Sequence, residues 1–259
     1  MNKAVQGDAN SLISPGNCMA CDRKLCMTVP AAYRDASQRL ITMERGDRLT
    51  ETGGNCYKIW NIVQGAAAIC TSLEDGRRQV IGLEFQGDSI CGLLNVTGAN
   101  SWLEAVSDCW ICEIDLSVAG QELHTNKAFM DAVFSVMNSK LQRYSTHIVT
   151  LGQLDGFERV LFFLTEMAQR LGRHLSEGIF VDLPMSREEI ADYLGLNTET
   201  VSRIFSRIRK SGAVTFVSPT ELVIPDLKAL KKLVPIEVVK GKPKGLPINA
   251  DKALRRKEA

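Results

Sequence analysis

The chain has 259 residues, 45% of them apolar and 24% charged, with a formal net charge of +1 at pH 7. That length and apolar content suffice for one large or two smaller packed domains and exclude a disordered chain. Near-neutrality excludes a general polyanion binder, so any nucleic-acid contact has to rest on a local basic patch. No run of about 18 apolar residues occurs, and the N-terminus lacks the charged-then-apolar profile of a secretory signal. The expectation is a cytoplasmic protein with no membrane partner and with reduced thiols.

Residues 1–27 hold three cysteines in close succession, Cys18, Cys21 and Cys26. Loops this short cost little entropy to close around one soft metal ion or an iron-sulfur cluster. A fourth ligand would then come from elsewhere in the chain. Cys56, Cys70, Cys91 and Cys109 are scattered and read as small buried apolar residues.

From about 28 to 122 the glycines Gly54, Gly65, Gly76, Gly87 and Gly98 recur at a fixed interval, separating short apolar, β-forming segments. This spacing predicts an antiparallel β-roll, with strands over 59–63, 67–71, 79–85 and 105–114 and a hairpin turn at Asp75-Gly76. Within 123–155 the apolar period changes: Met130, Phe134, Met137, Leu141, Tyr144, Ile148 and Leu151 alternate steps of four and three. Such a heptad seam predicts one long helix over about 126–152, and its straightness points to a two-fold partner helix in a homodimer. A second helix is predicted over 156–171, stopped by Gly172.

Over 156–230 the signals are those of a winged helix-turn-helix. Ser186 and Glu189 make a capping box for a helix that buries Ile190 and Leu194, Gly195 makes the turn, Thr198 can cap the next helix, and Gly212 ends it. Strands at 215–217 and 222–224 close a wing. The second helix turns Val201, Ile204, Phe205 and Ile208 inward and presents Glu199, Ser202, Arg203, Ser206 and Lys210 outward. Its chemistry suits the major groove of double-stranded DNA: Arg203 can donate to guanine O6 and N7, Glu199 can accept from cytosine N4, and Ser202 can serve a base or a phosphate. Residues 231–259 carry a basic cluster from Lys240 to Lys257 in a tail that reads as disordered. His124, His147 and His174 show no ligand spacing and read as polar surface or helix residues.

The run from Ser186 to Leu196 followed by Thr198-Glu199-Thr200-Val201-Ser202-Arg203 resembles the signature of the cyclic-AMP receptor protein superfamily. The Glu-x-x-Ser-Arg face is similar to that of its anaerobic regulator branch, FNR, and Gly87-Asp88-Ser89-Ile90-Cys91-Gly92 matches the superfamily roll. The resemblance runs from about 15 to 230 and implies an α+β fold: an N-terminal β-roll of the cyclic-nucleotide-binding type, a long dimerisation helix and a C-terminal winged helix-turn-helix. It implies a transcription regulator rather than an enzyme, with RNA polymerase as a further partner and Glu199, Ser202 and Arg203 reading TTGAT half-sites of an inverted repeat. The arginine and small hydroxyl residue with which cyclic-AMP binders hold the cyclic phosphate are absent, Asn100-Ser101-Trp102 standing in that region, so no cyclic nucleotide is expected.

FNR-like proteins hold one 4Fe-4S cluster per subunit with three N-terminal cysteines and one from the roll, and Trp110 to Leu116 resembles the strand that carries the fourth. The resemblance thus implies the ligand set Cys18, Cys21, Cys26 and Cys112 and a response to oxygen or nitric oxide. Cys109 and Cys112 should point to opposite faces of a strand, and Cys91 is the next candidate. Four residues separate Cys21 from Cys26 here, where the family pattern has five. Two other readings stay open: a regulator of the same superfamily with a thiol switch or zinc site, and an iron-sulfur redox protein. Against the last, no nucleotide-binding fingerprint or catalytic triad occurs.

Overall fold

A computed structural model describes residue 25 and residues 28–29, 38–50, 58–91, 100–119 and 125–236. The described strands of the N-terminal half are β1 (Gln38–Met43), β2 (Arg48–Leu49), β3 (Lys58–Gln64), β4 (Ala66–Ser72), β5 (Arg78–Phe85), β6 (Ser89–Cys91), β7 (Asn100–Ala105) and β8 (Cys109–Asp115). They pair antiparallel in two sheets, β1-β8-β3-β6 and β2-β7-β4-β5. Alternation along each strand sends one set of side chains between the sheets. Trp60, Ile62, Ile90 and Ile111 from the first sheet meet Ala67, Ile69, Leu103 and Ala105 from the second.

The expected strand over 105–114 is broken at Val106–Asp108. There the Val106 and Ser107 amides both donate to the Ala66 carbonyl, at 3.0 and 3.3 Å, so β7 ends and β8 starts afresh. Gly65, between β3 and β4, packs directly on this break: its φ is +82°, and a Cβ there would stand 2.2 Å from the Asp108 carbonyl oxygen. Only glycine fits both demands.

Helix α1 (Lys127–Gln153) is capped by Asn126, whose side chain accepts from the Phe129 amide. Helix α2 (Gly156–Leu171) opens on a capping box between Asp155 and Glu158. Arg159 ties the α1–α2 corner together by donating to the carbonyls of Leu151, Leu154 and Leu194, at 2.7 to 3.0 Å. These are helix-terminal carbonyls with no partner inside their helices, so a cation fits them.

The C-terminal unit adds β9 (Arg173–Leu175), β10 (Gly178–Asp182), α3 (Arg187–Leu194), α4 (Thr198–Ser211), β11 (Thr215–Phe216), β12 (Glu221–Ile224) and α5 (Leu227–Lys232). Its sheet runs β11-β12-β10-β9: the two wing strands expected at 215–217 and 222–224 pair as β11 and β12, and β10 and β9, too short to carry a clear alternation, extend the sheet beyond them. Asp226 caps α5, and Leu230 and Val234 are buried behind it. The folded unit therefore passes the expected boundary at 230; residues 237–259 lie outside the described residues. The outer face of the second β-sheet, with Ala68, Cys70, Val80, Phe85 and Trp102, shares one core with Val160 and Leu164 of α2 and Leu194 of α3.

Candidate functional site

The helix pair α3–α4 forms as its sequence dictates. Ser186 accepts from the Glu189 amide while the Glu189 side chain accepts from the Ser186 amide. Gly195 takes left-handed φ 60° and ψ 40° to turn the chain. The cap of α4 is Asn197, which accepts from the Thr200 amide at 2.7 Å, and Thr198 becomes the first helical residue instead. Asparagine caps as well as threonine or better, and its position sets the start one residue earlier.

Val201, Phe205 and Ile208 are buried and Ile204 is half-buried, which leaves Glu199, Ser202, Arg203, Ser206 and Lys210 exposed together. With Arg207 these five line one open, shallow depression on the outer face of α4. Arg203 and Glu199 approach at 3.9 Å, a weak solvated pair, and the Ser206 hydroxyl donates back to the Ser202 carbonyl at 3.0 Å. The basic residues divide by role. Arg207 lies 4.3 Å over the Phe157 ring and Arg209 5.0 Å over Phe216, so these guanidinium groups brace the unit while Arg203 and Lys210 extend outward. Arg187 also stacks, 3.7 Å over Phe205, and donates to the Pro219 carbonyl at 2.7 Å, joining α3 to the wing turn. Its role was not legible in the sequence, because the ring and the carbonyl are distant in the chain.

Along α1 the seam residues separate into two sets. Phe134, Met137, Leu141 and Ile148 are exposed at 62, 43, 64 and 69%, far more than large apolar side chains on a monomer's surface need be. Val149, not anticipated, joins them at 43%. The other three turn to their own subunit. Met130 packs with Leu25, Val29 and Phe129, Leu151 approaches Gly195, and Tyr144 lies against Gly82, where a Cβ would be 3.1 Å from its ring.

Cys112 lies mid-strand in β8, directly opposite Leu40 on β1 and Asn61 on β3. Strand parity sends Cys109 into the sandwich and Cys112 to the outer face with Val63, Trp110 and Ile114, as expected. Cys112 is nevertheless 1% exposed. Its apolar patch continues through Leu116 into the cluster of Leu25, Val29, Ile59 and Phe129. Cys18, Cys21, Cys26 and Cys56 lie outside the described residues, and the side chain of Cys91 is not among those described. Among the described residues no three His, Cys, Asp or Glu side chains converge as a metal site. Burial pushes the Cys109 thiol up to about 12, helped by Asp108 and Asp47. It likewise raises Cys70 to about 11 against the Arg78 guanidinium that donates to its sulfur.

A half-buried ionic cluster around the buried Glu84 fastens the roll to α1 and α2. Glu84 meets Lys140 at 2.7 Å and Arg143 at 3.1 Å, and Asp88 meets Arg143 at 3.4 Å and Arg170 at 2.6 Å. His147, read as a polar surface or helix residue, lies in α1 on its buried side and stacks on Tyr193 with ring centroids 4.2 Å apart.

The comparisons with known proteins agree with this architecture. A Crp-like helix-turn-helix domain model matches residues 158–233. The nitrogen fixation regulation protein FixK of Azorhizobium caulinodans is 32% identical over 179 residues, 68% of this chain and 71% of that protein. The transcriptional activator protein FnrL of Cereibacter sphaeroides is 26% identical over 228 residues, 83% and 89% of the two chains. The structure of FixK2 from Bradyrhizobium japonicum superposes with a TM-score of 0.67 at 25% identity, over 78% of this chain and 99% of that one. With a β-roll, a long helix carrying an exposed apolar stripe and a winged helix-turn-helix in that order, the chain belongs to the CRP/FNR family of transcription regulators.

Proposed function

We propose that this regulator is a homodimer whose DNA binding responds to oxygen, with nitric oxide as a second effector, through a 4Fe-4S cluster held by Cys18, Cys21, Cys26 and Cys112. The observation that carries the reading is the position of Cys112. It is a sheet residue on the outer face of the roll, sealed from water, in an apolar patch that continues to Leu25, the chain neighbour of Cys26. That donor fits a cluster: a thiolate on a rigid strand, in dry surroundings, beside the chain that carries the other thiolates. When bound, the cluster supplies a redox centre open to attack by dioxygen or nitric oxide.

The chain's own residues transmit the state. Leu25 and Val29 pack against Phe129 and Met130 at the start of α1, so whatever orders the N-terminal segment also seats the helix that carries Phe134, Met137, Leu141 and Ile148. Pairing of those stripes across a two-fold axis gives two α4 helices on one rigid frame, matched to two half-sites one helical turn apart. Coupled readers gain effective concentration that one reader lacks. Glu199, Ser202 and Arg203 then read base edges of a TTGAT inverted repeat, Ser206 and Lys210 lie on the same face toward the phosphates, and RNA polymerase is the partner at the promoter.

The test is to purify the protein without oxygen, measure iron, sulfide and the absorption spectrum, and titrate a TTGAT inverted repeat before and after exposure to air. Four iron and four sulfide per subunit, with DNA binding lost in air, support the reading. A colourless sample with stoichiometric zinc overturns it in favour of a zinc-site regulator, and DNA binding indifferent to air overturns the oxygen response.

A further inference from the structure

In the first sheet, order β1-β8-β3-β6, one row of side chains crosses four strands: Leu40, Cys112, Asn61 and Ser89. Directly opposed residues share a face, with Cβ atoms about 4.5–5.5 Å apart. Asn61 is 0% exposed and stands among apolar outer-face neighbours, Ile59 and Val63 on its own strand. The Ser89 hydroxyl donates to Asn61 Oδ1 at 2.6 Å. Asn61 Nδ2, by contrast, finds no hydrogen-bond partner among the described residues. The amide is flat, and its oxygen and nitrogen diverge from one carbon. With the oxygen committed to Ser89 on β6, the other strand flanking Asn61 on this face is β8, where the opposed residue is Cys112.

A buried amide N–H pair without an acceptor is costly, and such groups ordinarily have an identifiable partner. Resting on the reading of Cys112 as a cluster ligand, we propose that Asn61 Nδ2 donates a hydrogen bond to sulfur at that site, either the Cys112 thiolate or a sulfide of the cluster. Asn61 is then a positioning residue of the sensor. Thiolate and sulfide sulfurs accept N–H bonds, and these bonds withdraw electron density from the Fe–S unit, raise its potential and hold the ligand in place. Ser89 acts one step further out by fixing which end of the amide faces Cys112. The row thereby sets how long the cluster survives in air, separately from whether it forms.

Resonance Raman spectroscopy of anaerobically purified full-length protein tests this, together with the rate of bleaching in air and the iron content. Wild type should show iron–cysteine stretching bands that shift when exchangeable protons are replaced by deuterium. Asn61→Leu should move those bands upward, abolish one deuterium shift and shorten the half-life in air about tenfold, the low end for loss of such a supporting bond. Asn61→Asp, isosteric and still able to accept from Ser89, should also lose the shift, so the test survives if the leucine variant folds poorly. Ser89→Ala, which removes the same Ser89–Asn61 bond but keeps the donor, should retain the deuterium shift. Iron-replete Asn61 variants with wild-type bands, deuterium shifts and half-life overturn the proposal alone. A wild type without iron and sulfide overturns it together with the cluster reading.

Discussion

Arg170 Nη2 stands 2.6 Å from Asp88 Oδ2, joining α2 of the DNA-binding half to the turn between β5 and β6 of the roll. Arg170 also donates to the Leu83 carbonyl, pairs with Glu166 and stacks on Phe85. The contact thus has one guanidinium serving two halves of the chain. Burial alone would raise the Asp88 carboxyl, but Arg170 and Arg143 outweigh it and bring it down to about 2.

A carboxyl depressed in the folded state contributes stability that is present above its unfolded value, near 4, and lost as pH falls toward 2. Asp88→Asn should therefore lose stability on the order of 2 kcal/mol at pH 7 and show a flatter decline between pH 4 and 2. Urea unfolding at pH 7 and pH 2.5 checks this. A deficit of equal size at both values would mean that packing, not charge, is what the substitution removes.

His147 presents both ring nitrogens without a hydrogen-bond partner among the described residues. Burial holds its pKa below the ordinary histidine value, Glu166 acting upward and Arg159 downward. The unfolded chain takes up the proton first, so the group's contribution is lost as pH falls below about 6.5. His147→Phe keeps the stack on Tyr193 and removes two orphaned polar atoms. It should raise stability by about 1 kcal/mol and weaken the dependence of the melting temperature between pH 7 and 5.

Leu141→Glu and Ile148→Glu place a charge on the exposed stripe of α1, where the two side chains stand 64 and 69% exposed. Monomer stability should change little, while the proposed dimer should dissociate, because a symmetric pair would bury like charges without partners. Sedimentation of the anaerobic protein decides it: dimers of unaltered affinity would place the subunit contact on another face.

On the proposed reading, in which Arg203 makes a bidentate guanine contact, Arg203→Ala should cost about 1 to 3 kcal/mol on the specific site and relax preference at one base position. Arg207→Ala should instead lower the stability of the domain, because Arg207 is stacked on Phe157. Competition binding against half-site variants separates them. Uniform weakening across all variants by Arg203→Ala would reassign that residue to phosphate contact.

Gly65→Ala should be among the most damaging single substitutions in the roll. Its added methyl meets backbone at 2.2 Å on a left-handed φ, and neither the β7–β8 turn nor the hairpin can retreat without losing ladder bonds. Thermal unfolding should show a loss of at least about 2 kcal/mol; a smaller loss would mean that the two turns are able to part.

Local signals in the sequence were enough for the helices and for the outward face of α4. The capping box at Ser186, the turn glycines at 195 and 212 and the three-four apolar step act over a few residues, so α1 to α4 and the outward set Glu199, Ser202, Arg203, Ser206 and Lys210 stand where the pattern puts them, with the cap of α4 one residue earlier, at Asn197. Strand parity likewise separated Cys109 from Cys112. What only the tertiary structure decided lies between distant segments. The short β9 and β10 are held by sheet neighbours rather than by their own alternation. Tyr144 leaves the heptad seam because Gly82 opens a place for its ring, and His147 is buried because Tyr193 offers a face to stack on. Asn61 reads as one polar residue in an apolar strand until pairing sets it between Ser89 and Cys112. Periodicity records which face of an element a residue occupies; which other element meets that face depends on loop closure and packing across the whole chain, and no local window contains that information.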